Sequence, residues 1–230
     1  DGRGTPVADT GMIWSGFRPS DDACEYGYLV PANMFAVVIL GYLQTIFSSI
    51  LDDPEIVARA QRLQTTVRNG IETYGYTTNA NGEKVYAYEV DGLGHAKLMD
   101  DGNVPSLLSA PYLGYCDLLD LNYQRTRQTL LSPENPYYYS GKLAAGQGSP
   151  HTPARYIWPI AIAMEGLTAN SHEQQLAALQ TLIKTTGNTD LMHESFDVDD
   201  DTQFTREWFS WANMMYCELL LTTLGFKIER

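Results

Sequence analysis

From Tyr156 to Met164 the chain is apolar at nearly every position: Tyr156, Ile157, Trp158, Ile160, Ala161, Ile162, Ala163 and Met164. A helix over 155–168 with that content offers no face to water and must be surrounded by protein. Other segments are amphipathic. Leu43, Ile46, Phe47 and Ile50 form a helical stripe within Ala32–Leu51. Asp53-Pro54-Glu55 supplies an N-cap and a proline at the first helical position. The helix it opens carries Ile56, Ala60, Leu63, Val67 and Ile71 on one face. Ser171 and Gln174 form a capping box for a helix with Leu176, Leu179, Leu182 and Ile183. Further helices are predicted over 105–116, 121–131 and from Arg206 to Leu224, and Val85 to Val90 alternates like a short strand. About seven helices and one minor strand make the chain mainly α. Surrounded helices alternating with half-wet ones are the pattern of an α/α toroid. Long loops at 91–106, Ser132–Pro153 and Gly187–Gln203 hold most of the residues capable of chemistry.

Composition narrows the function. With 28 acidic and 15 basic residues the formal net charge is -13, which argues against nucleic acid or an anionic membrane surface as partner. No apolar stretch reaches ~18 residues, so no membrane span is predicted. Cys24, Cys116 and Cys217 are far apart and without C-x-x-C spacing, and are expected to be buried free thiols, with one disulfide and a leftover thiol as the alternative. The sequence shows no signal peptide, initiator Met or acceptor site for an N-glycan, and starts at Asp1 in what reads as loop, as a mature or truncated piece would. It leaves the compartment open.

Two acidic clusters lie among aromatics, one near each end. The first is Trp14-Ser15-Gly16-Phe17-Arg18-Pro19-Ser20-Asp21-Asp22. The second is Met192-His193-Glu194-Ser195-Phe196, followed by Phe204-Thr205-Arg206-Glu207-Trp208-Phe209. Two carboxylates in an aromatic-walled pocket are what sugar hydrolysis needs, one to protonate the leaving oxygen and one to activate water or attack the ring. The Asp100-Asp101-Gly102-Asn103 stretch offers paired acceptors and donors for vicinal hydroxyls, or a helix cap. His151 sits on a stiff Gly/Pro loop, Gly146 to Pro153, that lacks the Lys and Ser/Thr ending of a phosphate loop. His193-Glu194 has no second histidine at zincin spacing, and the run Asp197 to Asp201 lacks the Gly and Glu of a calcium loop. No G-x-S-x-G occurs, so neither a metal site nor a nucleophilic triad is supported.

Four stretches carry a resemblance: GMIWSGFRPSDDACEYGYLVPANMFAVV, VYAYEVDGLGHAKLMDDGNVPSLLSAPYLGY, GSPHTPARYIW and MHESFDVDDDTQFTREWFSWAN. Together they resemble glycoside hydrolase family 125, the exo-α-1,6-mannosidases. The resemblance implies an (α/α)6 barrel. It also implies release of non-reducing-terminal α-1,6-linked mannose with inversion, from an oligosaccharide or glycan, with no cofactor or essential metal. It makes Asp21 the general acid, with Asp22 as the fallback by one register, and Glu194 the general base. Arg18, Asp101, Asn103 and His151 are expected in the substrate pocket. The family's W-L-R-D-S-type motif is absent here, and about seven helices do not close a toroid. The expectation is therefore one α/α-toroid domain over 1–230 that lacks its N-terminal part. A non-catalytic mannoside-binding or inactive fragment is the alternative.

Overall fold

Three of the six helices among the described residues carry a proline at their first or second position, where the missing N–H costs nothing and the fixed φ suits the first turn. The structure, a computed structural model, describes residues 4–226. It falls into two units: Asp1–Leu98 with Pro105–Thr126, and Met99–Val104 with Arg127–Arg230.

In the first unit, β1 (Tyr28–Leu29) leads into α1 (Val30–Ser49), and Asp53 caps α2 (Pro54–Tyr74) by accepting from the Glu55 and Ile56 amides. The two helices pack through Met34, Val37, Val67 and Ile71. They are also tied by Gln64, whose amide nitrogen donates to the Val37 carbonyl and whose oxygen accepts from Gln44. β2 (Tyr76–Thr78) and β3 (Lys84–Tyr86) form a hairpin. β4 (Glu89–Val90) lies between β1 and β5 (Ala96–Lys97), antiparallel to both, with Glu89 opposite Leu29 on one side and Lys97 on the other. The predicted strand is thus two short ones, broken at Ala87 and Tyr88.

One expectation for this unit needs correcting. Residues 105–116 form successive turns rather than a helix. Ser106 and Ser109 spend their hydroxyls on each other's backbone, Pro111 removes a donor, and Gly114 adopts φ 89. α1 is long and apolar enough, by length and composition, to cross a membrane. The polar side chains that interrupt its apolar run are satisfied locally. Asn33 bonds Ile13 and Leu29, Gln44 bonds Leu40 and Gln64, and Thr45 bonds Gly41.

The division between units falls inside α3 (Leu121–Leu130). In the second unit β6 (Tyr138–Ser140) and β7 (Ala145–Gln147) form a hairpin, and β8 (Tyr156–Ile157) precedes α4 (Pro159–Leu167). The largely apolar helix therefore starts later than 155. The residue before Pro159 is extended, as proline requires, and the two residues before that pair as strand. α4 packs with α5 (His172–Lys184) and, after β9 (Ser195–Asp197) and β10 (Asp200–Thr205), with α6 (Ser210–Thr223). Gly166 permits this, because a Cβ there would stand 2.8 Å from Leu219 and 2.9 Å from Ala178. Ser171 caps α5 through the Gln174 amide, while Gln174 reaches back to Asn170. β9 is the centre of a β10-β9-β8 sheet inside the stretch predicted as loop. The three cysteines are free. Cys24 and Cys116 are half-buried, but Cys217 is exposed, contrary to the expectation of burial.

Candidate active-site residues

The loop before β1 is built as a tight reversal. Phe17 bridges to Ala23, the Arg18 amide donates to the Asp22 carbonyl at 2.8 Å, and the Asp21 amide donates to the Arg18 carbonyl at 3.0 Å. Asp21 sits at its tip, exposed, with φ 67, a region that non-glycine residues rarely occupy. Asp22 is half-buried and accepts from the Ser20 hydroxyl at 2.8 Å. Of the two aspartates, Asp21 is the open one.

Arg18 is buried. Its Nε lies 2.6 Å from Glu89 Oε1, and its guanidinium lies 5.7 Å from the Tyr88 ring. Burial works against its charge, but Glu89 outweighs burial and holds the group above its ordinary value. Burial, reinforced by Glu89, pushes the Cys24 thiol up to about 12, so it is no nucleophile at neutral pH. A hollow of about 160 Å³ is lined by Trp14, Phe17, Cys24 and Gly27 among others.

In the second unit, Asp100, Asp101 and Asn103 are buried. Asn103 donates its backbone and side-chain N–H groups to Asp101 Oδ1, both at 3.2 Å. Asp100 accepts from Gln147 at 3.3 Å, and the Gly102 amide donates to the Gly148 carbonyl at 3.0 Å. Gly102 lies against Trp158, since a Cβ there would be 2.9 Å from the indole.

The aromatic side chains connect this loop to Glu194. His151, exposed, meets Trp158 edge-on at 6.5 Å; Trp158 meets Phe209 edge-on at 6.0 Å; the Arg206 guanidinium stands 5.8 Å from the Phe209 ring. Arg206 Nε is then 3.2 Å from Glu194 Oε1. Glu194 is 6% exposed, between buried Met192 and Phe196. His193 is fully buried, stacked on Phe204 at 3.9 Å, with Nδ1 2.6 Å from the Glu207 carbonyl and Nε2 3.0 Å from the Thr186 carbonyl. Both of its ring nitrogens are engaged, so its role beside Glu194 is to fix the backbone.

The acidic run 197–201 is spent on bonds within the second unit: Asp197 accepts from the Asp199 amide, Asp199 pairs with Arg155, and Asp200 accepts from Thr202. Among the described residues no cluster of three His, Cys, Asp or Glu could hold a metal ion.

Arg18 and Asp21 thus share one turn in the first unit. Asp101, Asn103, His151 and Glu194 belong to the second. Sequence reasoning missed Glu89 and Gln147 as parts of these groups. The one available signal was Glu89, a lone charge in an otherwise apolar strand.

The sequence model of the metal-independent α-mannosidases (GH125) matches residues 1–221. The chain belongs to this family. The chain is also similar to two further proteins. "Meiotically up-regulated gene 157 protein" of Schizosaccharomyces pombe is 43% identical over 228 residues, which are 98% of this chain and 45% of that protein. A solved Streptococcus pneumoniae structure, described as a metal-independent α-mannosidase in a non-productive substrate complex with α-1,6-mannobiose, is 57% identical. Its TM-score is 0.96, over 97% of this chain and 53% of that one. The chain spans about half the length of these relatives.

Proposed function

We propose that this chain carries the proton-transfer residues of an inverting exo-α-1,6-mannosidase, with Asp21 as general acid and Glu194 as general base. The observation that carries this reading is the 57% identity to the pneumococcal α-mannosidase with its α-1,6-mannobiose. Asp21 protonates the glycosidic oxygen as the bond to the anomeric carbon breaks. Glu194 takes a proton from the water that attacks the opposite face, which inverts the anomer. The exposed, strained setting of Asp21 suits a group that must reach a leaving oxygen. The enclosed setting of Glu194, anchored by Arg206, suits a base that holds one water. Arg18, Asp101, Asn103 and His151 contribute hydroxyl contacts in this reading, and Trp158 supports the loop bearing Asp101 and Asn103. The helices are assigned to an (α/α)6 toroid, on the strength of family membership and the likeness to the pneumococcal enzyme.

Proton NMR of α-1,6-mannobiose cleavage tests the reading. β-mannose should appear first, and Glu194→Gln should slow turnover by about a hundredfold or more while retaining mannoside affinity. First appearance of α-mannose, or undiminished turnover in Glu194→Gln, overturns it. Binding of mannobiose with no release would favour a non-catalytic mannoside-binding role.

A further inference from the structure

The loop that carries Asp21 has almost no apolar anchor of its own: Phe17 and Ala23 are exposed, and Cys24 and Tyr26 are half-buried. It is held by backbone bonds, such as that from the Cys24 amide to the Gly16 carbonyl, and by one fully buried carboxylate. Glu89 Oε1 takes Arg18 Nε at 2.6 Å, at the start of the loop. Glu89 Oε2 takes the backbone amides of Glu25 and Tyr26 at 2.9 and 3.1 Å, at its end. Glu89 is itself fixed on the central strand of the β1-β4-β5 sheet. The amide and carbonyl of Arg18 then close the turn on Asp22 and Asp21. A buried ion pair adds little stability over an apolar pair of the same volume. This one grips both ends of a loop whose tip is a non-glycine residue at φ 67. Such a conformation persists only where the surroundings impose it.

We propose that Glu89 is a positioning residue for general-acid catalysis. It acts through Arg18 and the Glu25–Tyr26 amides to hold Asp21 where it can protonate the leaving group. The proposal rests on the reading of Asp21 as the acid. Glu89 itself touches no substrate.

Two measurements test it. Amide hydrogen exchange needs no turnover. In the unmodified chain the Arg18, Asp21, Glu25 and Tyr26 amides should open at a common rate, as members of one cooperative unit. In Glu89→Gln, exchange at Arg18 and Asp21 should rise about tenfold or more. Unchanged protection at Arg18 and Asp21 in the variant overturns the proposal. If the variant does not fold, fast and independent exchange of those two amides in the unmodified chain overturns it.

The second measurement compares α-1,6-mannobiose with α-mannosyl fluoride, whose leaving group needs little protonation. Glu89→Gln should lose at least about tenfold more turnover on the mannobiose than on the fluoride, as Asp21→Asn should. Equal losses in Glu89→Gln beside selective loss in Asp21→Asn overturn the positioning role alone. Equal losses in Asp21→Asn overturn the assignment of the acid.

Discussion

Arg206 holds Glu194 twice, with its Nε 3.2 Å from the carboxylate and its carbonyl 3.3 Å from the Glu194 amide. It does so from φ 44, a left-handed conformation at the end of the β9–β10 hairpin. The Arg206 side chain is 63% exposed, so the ion pair contributes less than about 1 kcal/mol to stability.

Arg206→Ala should therefore leave the melting temperature nearly unchanged while lowering turnover of α-1,6-mannobiose by up to about a hundredfold, the cost of a misplaced base. Arg206→Gly should be the more stable of the two variants, because glycine takes a positive φ without strain. Thermal melts read beside kcat check both statements. Turnover unchanged in either variant would show that Glu194 keeps its place by other means.

Gly148 lies where no side chain fits. A Cβ there would stand 2.3 Å from the Tyr156 carbonyl oxygen, a backbone atom that cannot swing aside. Its own carbonyl accepts from Gly102, in the loop that holds Asp101 and Asn103. Gly148→Ala should cost about 1–3 kcal/mol in denaturant unfolding, as overpacking does. It should also weaken mannoside binding, because relief of the clash moves the 99–104 loop. Calorimetric titration with mannobiose reads that second effect.

The local chemistry of helix starts was legible in the sequence. Asp53-Pro54 and Ser171 mark the N-termini of α2 and α5, and the continuous apolar run marks α4 as an enclosed helix. The 105–116 stretch misled because apolar spacing says nothing of serines that bond each other's backbone. The β9–β10 hairpin was hidden by its acidic run, whose charges are absorbed by Lys142, Arg155 and Thr202, contacts up to 57 residues away in sequence. Among site residues, the apolar setting of Glu194 was readable from Met192 and Phe196 on either side. The grip of Glu89 on Arg18 was not, because 71 residues separate them and only the β1-β4-β5 sheet brings them together.

Asp53 accepts from two amides, those of Glu55 and Ile56, each at 3.1 Å. Both are among the donors that the first turn of a helix leaves unpaired. Asp53→Ala should destabilise the first unit by about 1 kcal/mol, and Asp53→Ser should recover most of that loss. Urea unfolding monitored by circular dichroism measures the difference. Mannobiose turnover should be unaffected by the change, since Asp53 lies in the α1–α2 connection, outside the proposed machinery.

Glu165, on α4, gives a pH dependence of definite sign. Burial raises its carboxyl above the ordinary value, and the attraction of Arg127 recovers only part of that. The folded chain then keeps a proton that the unfolded chain has released, so the folded state binds more protons once pH passes the unfolded value of about 4.3. Stability from this group falls as pH rises from there through the raised folded value, and is constant above it. Glu165→Gln has no proton to lose, and the Arg127 bonds to the Glu165 carbonyl and to Thr168 do not need the carboxylate. The variant should melt higher than the parent at pH 7, and the gap should close as the buffer is taken below about pH 4. Thermal melts across pH 3.5 to 8 trace the curve. A variant that melts lower at pH 7 would mean that the pull of Arg127 exceeds the penalty of burial, which reverses the sign for this carboxylate.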